Sequence, residues 1–345
     1  VARRAAGAGR TYPVAMARSH LTLAALATSA VAELDIVGAA PFGSAGGGDF
    51  DAALLTGRDG DHWVVRVPRS ERAEQQQSAD LVALRAISPG VRARLPFEVS
   101  TVVGQAPIDG TRAIVSRYLG GTPARLASID QALATSIGEA IAAVHSLPTS
   151  MVTDAGLPAQ SADDAHRNAM TLIDRAERTG LVPVPLLDRW QRAAADAGLW
   201  QFTPVVVNGE IGASSFLTSS SDVTGVLGWH ALRVADPARD LFWVLGTRRD
   251  GVADAVFDAY AHARGGVDRR IRQRATLLSE LEVARWLLHG TTERDDTVVA
   301  DAVTMMSRLV DDRIGGVGDA ITPPTMPILA VDEVEALLDR TERVS

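Results

Sequence analysis

The sequence predicts an α+β fold of two lobes: a small lobe on a five-stranded antiparallel sheet, then a larger, mainly helical lobe. Three observations carry this. Between residues 33 and 117, short apolar runs alternate with turns marked by glycine and proline. The pair Gly120-Gly121 then interrupts the pattern. From Ile129 onward, apolar residues recur at helical spacing over long segments.

Taken in order, Met16–His20 and Leu21–Ala32 have the outline of a short signal peptide. Thr22, Thr28 and Ser29 interrupt the apolar run, and Glu33 and Asp35 follow at once, which favours an amphipathic helix and a cytoplasmic protein. Residues 1–15 read as an extension ahead of a start at Met16. Ile36–Val37, Phe50–Thr56 and Trp63–Val67 form a three-stranded meander. Its first hairpin holds the glycine-rich stretch Gly43–Asp49, and its second turn is Gly57-Arg58-Asp59-Gly60. A helix over Ala73–Ile87 presents Leu81, Leu84 and Ile87 on one face. Val99–Val103 and Thr111–Arg117 complete the sheet around a Pro107/Gly110 turn. Helices are expected at Ile129–Leu147, Ala162–Arg178 and Leu186–Ala197. A β-rich island follows, with strands Val205–Val207, Phe216–Leu217 and Val223–Trp229. Helices resume at Asp236–Leu245, Ala253–Arg264, Arg269–His289 and Val298–Val310. After Pro323-Pro324 comes a tail helix, Val331–Thr341. The expected divisions are an extension and helix (1–32), a β-rich nucleotide-binding lobe (33–119), an α-rich lobe with a hairpin (120–320) and a proline-containing linker with a tail (321–345).

Composition excludes several chemistries. All 34 basic residues are arginine, and there is no cysteine. A P-loop needs its lysine, so P-loop nucleotide hydrolysis is excluded. Schiff-base catalysis through lysine, thiol nucleophiles and cysteine-ligated zinc fall with it. A formal charge of −8 argues against a nucleic-acid partner. No apolar run reaches the roughly 18–20 residues of a membrane span. The seven histidines show no metal-binding spacing, and no hydrolase elbow follows a strand.

Two motifs lie in the hairpin region. Gly225-Val226-Leu227-Gly228-Trp229 precedes Asp236-Pro237-Ala238-Arg239-Asp240-Leu241, and Asn208-Gly209-Glu210 precedes Ser215-Phe216-Leu217. Asp236 stands where it can cap a helix, with Pro237 at the first helical position. The first motif resembles the G-V-I-D-W strand and G-D-P-x-x-D-L segment of the aminoglycoside and macrolide phosphotransferases, which have a protein-kinase-like fold. The second falls where that family has H-G-D-x-x-x-x-N-x-L. Trp63-Val64-Val65-Arg66-Val67-Pro68-Arg69 resembles its third strand, and the resemblance spans roughly residues 34–310. It implies an ATP- or GTP-dependent transfer, with Mg²⁺, to a hydroxyl of an unidentified small-molecule acceptor. By position it places Glu210 as the catalytic carboxylate and Ser215 at the metal-binding asparagine. Nucleotide contacts fall to Ser44 and Gly46 of the glycine loop, Arg66 in place of the usual lysine, Asp80 as its helix partner, and Tyr118.

The departures from the family pattern bear directly on the chemistry. Phosphoryl transfer relies on positioning and charge, with metal ions bridging the phosphates. Glu210 for aspartate adds a methylene, a displacement of roughly 1 Å that can cost ~10²-fold. Arg66 keeps a phosphate-binding cation. Ser215 reaches less far than asparagine, and Gly228 replaces a metal-binding aspartate with no side chain at all. The expectation is a phosphotransferase-family protein with impaired metal binding and weak or absent turnover. The alternative is a nucleotide- or metabolite-binding pseudokinase. The acceptor pocket is expected within residues 150–200 and 250–310, where Trp190, Trp200, Trp243 and Trp286 are candidates either to line it or to fill the core.

Overall fold

The structure is a computed structural model that describes residues 17–43, 48–266, 268–313 and 321. Ser44, Gly46 and the expected tail helix lie outside these residues.

The small lobe is a five-stranded antiparallel sheet, β1 (Ile36–Pro41), β2 (Phe50–Gly57), β3 (His62–Pro68), β5 (Val102–Ile108) and β6 (Thr111–Arg117), in the order β1-β2-β3-β6-β5. Period-two alternation sends Ala53, Leu55, Val65, Val67, Ala113 and Val115 to one face, where α1 (His20–Ala30) covers them with Leu23 and Ala27. The N-terminal helix is thus part of this lobe's core. Gly104 permits its close approach, since a Cβ there would lie 2.6 Å from the Ala30 carbonyl oxygen. Helix α2 (Glu71–Ala86) begins at Ser70, whose hydroxyl accepts from the Ala73 N–H. It buries Leu81 and Leu84, with Ile87 just beyond its end.

Four expected features differ. Val99–Val103 is divided: β4 (Glu98–Val99) pairs in parallel with β10 (Asp222–Val226), whereas β5 starts at Val102. Arg92, at the end of the short α3 (Pro89–Arg92), enforces the break by donating to the carbonyls of Ile87, Val99 and Ser100. The β5–β6 turn sits at Asp109-Gly110, both with positive φ, and Pro107 lies in the edge strand where proline is tolerated. The strand expected to reach Trp229 ends at Val226, because Gly228 takes a left-handed φ of 74° that a ladder cannot hold. The helix expected over Asp236–Leu245 is two 3₁₀ turns, Pro237–Asp240 and Phe242–Gly246, because Asp236 and Asp240 spend their side chains on tertiary bonds.

In the larger lobe, β7 (Thr122–Pro123), β9 (Phe216–Ser219), β10 and β4 form a four-stranded sheet, and β8 (Val205–Val207) pairs with β11 (Arg233–Ala235). Helix α4 (Gln131–His145) crosses α8 (Val252–Arg264) at Gly138, where a Cβ would meet the Val256 carbonyl oxygen at 2.4 Å. These helices enclose a core with Phe216 and Trp229, into which Val152 of the short α5 (Ser150–Thr153) also packs. A second core gathers α6 (Ala162–Glu177), α7 (Val184–Ala195), α9 (Ile271–Glu293) and α10 (Asp296–Arg313). At its centre Arg189 and Trp190 both donate to Glu280. Trp190 and Trp200 are buried in this core, and Trp243 stacks toward Phe216. Trp286 is exposed and stacks on His289. No helix among the described residues is long and apolar enough to cross a membrane.

Candidate active site

Between β8 and β9 the chain makes a loop, residues 208–215, whose backbone is fastened from below. The Asp240 carboxylate accepts from the Asn208 N–H at 2.7 Å and the Gly209 N–H at 2.8 Å. It also meets His145 Nε2 at 3.2 Å, and His145 Nδ1 meets the Tyr260 hydroxyl at 2.9 Å. All these groups are buried, and burial pushes the Tyr260 hydroxyl well above its ordinary value. A buried polar chain is tolerated only because each member has partners. Asn208, in the position of the family histidine, donates its amide to the Gly228 carbonyl at 2.9 Å.

The loop's tip carries Glu210, half-exposed, with Oε2 3.0 Å from His230 Nε2. The bond to His230 holds the carboxyl below its usual range, and the same bond raises the imidazole. Ser215 lies at the loop's other end. Its carbonyl accepts from the Leu227 N–H at 2.8 Å, which brings it beside Gly228. Its hydroxyl accepts from the Gly212 N–H at 3.3 Å.

From helix α2 of the small lobe, Asp80 reaches to the same segment. One carboxylate oxygen accepts from the Trp229 N–H at 2.7 Å, and the other lies 3.7 Å from Arg66. The Arg66 guanidinium also sits over the Phe50 ring, just after the glycine loop. Arg66, Asp80, Gly228, Ser215 and Glu210 are therefore assembled between the lobes. Tyr118 stands apart. It follows Arg117, which pairs with Trp63, three residues along β3 from Arg66, or about 10 Å at strand spacing. There it packs edge-on against Phe42, with ring centroids 6.0 Å apart.

A divalent metal is poorly served. No cluster of three His, Asp or Glu side chains that could hold one exists among the described residues. Gly228 has no donor, and an added Cβ would meet nothing within 4 Å. Of the two metal-ligand positions in the family pattern, Ser215 keeps a side-chain donor, a hydroxyl that accepts from the Gly212 N–H. Mg²⁺ is usually bound through one or two carboxylates together with substrate phosphates, and Gly228 supplies no carboxylate at the position of the family aspartate.

A profile of the phosphotransferase enzyme family matches residues 43–277, more than half of the chain. The chain belongs to this family. Its fold is that of macrolide 2'-phosphotransferase MphH from Brachybacterium faecium, with a TM-score of 0.68 at 20% identity over 89% of this chain and 100% of that one. A type I macrolide 2'-phosphotransferase gives 0.66 at 24% identity, over 85% and 98%. APH(2")-IIIa, solved with GDP and kanamycin, gives 0.65 at 18%, over 84% and 98%. The uncharacterized protein YcbJ of Bacillus subtilis (strain 168) is 21% identical over 274 residues, covering 76% of this chain and 89% of YcbJ.

Within this phosphotransferase frame, three structural residues carry no signal in the motifs alone. His230 follows the family tryptophan and offers nothing by spacing. His145, at a helix C-terminus, reads as packing. Asp240 is visible in D-P-x-x-D-L only as part of a helix start, and its hold on Asn208 and Gly209 requires the tertiary fold.

Proposed function

We propose that the chain binds a purine nucleoside triphosphate between its lobes and transfers phosphoryl groups slowly to a small-molecule hydroxyl. Residues 33–119 act as the nucleotide lobe and 120–320 as the acceptor lobe. The observation that carries the proposal is the Glu210 carboxylate, ionised and aimed by His230 on a loop fastened by Asp240, beneath Arg66. Arg66 would hold phosphate oxygens, and Tyr118 with Phe42 would face the base. The nucleotide supplies the phosphoryl group. Glu210 accepts the proton of the acceptor hydroxyl as that oxygen bonds to the γ-phosphorus and the bond from phosphorus to the β–γ bridging oxygen breaks, releasing the nucleoside diphosphate, and His230 keeps the carboxylate oriented. The solved relatives bound to GDP, ADP and ATP support the nucleotide assignment by analogy of fold.

Low turnover follows from the position of Gly228. Nothing there bridges a cation to the phosphates, so charge on the transferred group is met by Arg66 alone. A second reading, a binding module without catalysis, rests on the same glycine. A thermal-shift titration with ATP and GTP, with and without Mg²⁺, tests the proposal. Saturable stabilisation nearly independent of Mg²⁺, and slow turnover lost in Glu210→Ala, is the expected result. Absence of nucleotide-dependent stabilisation would overturn it. Gly228→Asp separates the two readings. Aspartate tolerates a left-handed φ better than most residues, and open space surrounds this position, so the variant folds. Metal-dependent turnover appearing only in that variant would identify the binding module.

A further inference from the structure

Beside the loop that carries Glu210 lies an open pocket of about 460 Å³, lined by Gln160, Asp164, Asn168, Arg233 and Arg239, among others. A smaller cavity of about 60 Å³ shares Gln160, Asn168 and Arg239 and adds Arg285. The two guanidiniums of the larger pocket press against the loop itself. Arg239 Nη2 donates to the Gly209 carbonyl at 3.4 Å, and Arg233 Nε lies 3.2 Å from where a Gly209 Cβ would stand.

The carboxylates around these arginines are all committed elsewhere. Asp164 accepts from the Ser161 N–H and hydroxyl and pairs with Arg167. Asp236 pairs with Arg274, and Glu282 with Arg285. Asp240 is spent on the loop N–H groups, and Glu210 on His230. Among the described residues neither Arg233 nor Arg239 forms an ion pair, and Arg239 Nε is buried without a hydrogen-bond partner. Burial depresses the Arg239 guanidinium, with Arg285 and Arg233 adding to the effect and the more distant carboxylates of Glu282 and Asp240 opposing it. Leaving a guanidinium buried and unpaired is costly, and a bound anion relieves that cost.

We infer that this pocket is the acceptor subsite and that it takes an acceptor bearing a carboxylate or phosphate group, held by Arg233 and Arg239 with Asn168 and Gln160 as amide partners. The assignment of the pocket to an acceptor rests on the phosphotransferase reading, whereas the anion preference does not. A polycationic amino sugar would face the two guanidiniums of this pocket, with Arg285 in the adjoining cavity, and be repelled.

The test uses inorganic sulfate as the probe, in thermal-shift titrations at constant ionic strength against chloride. The proteins are wild type, Arg233→Gln, Asn168→Asp and Arg66→Gln, with ATP titrated in parallel on each. Sulfate is expected to stabilise wild type saturably. Its affinity should fall at least about tenfold in Arg233→Gln, which loses a charge-assisted hydrogen bond, and in Asn168→Asp, which adds a negative charge. It should persist in Arg66→Gln, where the nucleotide site is weakened. No saturable sulfate effect, or one lost in Arg66→Gln but kept in Arg233→Gln, overturns the anion subsite. An ATP response retained alongside such a failure leaves the phosphotransferase reading standing. A sulfate site at Arg233 with no ATP response supports the anion site and sinks that reading instead.

Discussion

Replacing Asp240 by asparagine changes one atom's chemistry at the centre of the loop support. The carboxylate accepts from the N–H groups of Asn208 and Gly209 and also meets His145, at 1% exposure. Asparagine keeps one oxygen and turns an NH₂ toward what was a donor. One charge-assisted bond, worth about 1.5–3 kcal/mol, is lost, and one buried donor is left unsatisfied, at about 1–3 kcal/mol. Together the expected destabilisation is about 3–5 kcal/mol. Urea denaturation of wild type and Asp240→Asn measures it as a lowered midpoint at constant slope. The loop it releases carries Glu210, so a shift of about 1 Å there lowers turnover by ~10²-fold. His145→Ala and the double variant complete a cycle. Since His145 acts through Asp240, the double variant should be less destabilised than the sum of the singles. A loss below about 1 kcal/mol, or strict additivity, would refute the claim that Asp240 is the loop's anchor.

Three other outcomes are expected. His230 titrates above an ordinary histidine because Glu210 binds its charged form, so the pair stabilises the fold below the unfolded histidine value. That contribution is lost as pH rises through the raised histidine value, and on the acid side as pH falls through the depressed Glu210 value. An NMR titration of His230 should move to lower pH in Glu210→Gln, and an unmoved midpoint would contradict the pairing. Gly138→Ala forces a Cβ against the Val256 carbonyl and should cost about 1–3 kcal/mol by overpacking, despite alanine's better helix propensity; a raised melting temperature would show that the helices can part. Glu280→Leu removes a buried carboxylate to which Arg189 and Trp190 both donate, with an expected loss of about 3–5 kcal/mol in urea unfolding; a neutral result would mean that apolar packing substitutes for it.

Much of the fold is legible because it is local. Alternation in β2 and β3, the Ser70 cap and the apolar stripe of α4 each need only a window of a few residues. The motif register likewise places Glu210 and Ser215 on one loop and Gly228 beside it. Where the expectation failed, a distant partner intervened. Arg92 cut a strand at Ser100, and Asp236 preferred Arg274 to a regular helix turn.

By itself, then, the sequence determined the order of elements, the family resemblance, and the absence of a side chain at Gly228, since a missing side chain needs no fold to be missed. The tertiary structure alone decided what each surviving charge does. Asp80 reaches Trp229 across 149 residues, and Asp240 reaches Asn208 across 32. Among the described residues Arg233 and Arg239 form no ion pair, because the nearby carboxylates have found a nearer cation or N–H. Pairing of that kind depends on distance in space and on desolvation, and neither is written in the spacing of residues along a chain.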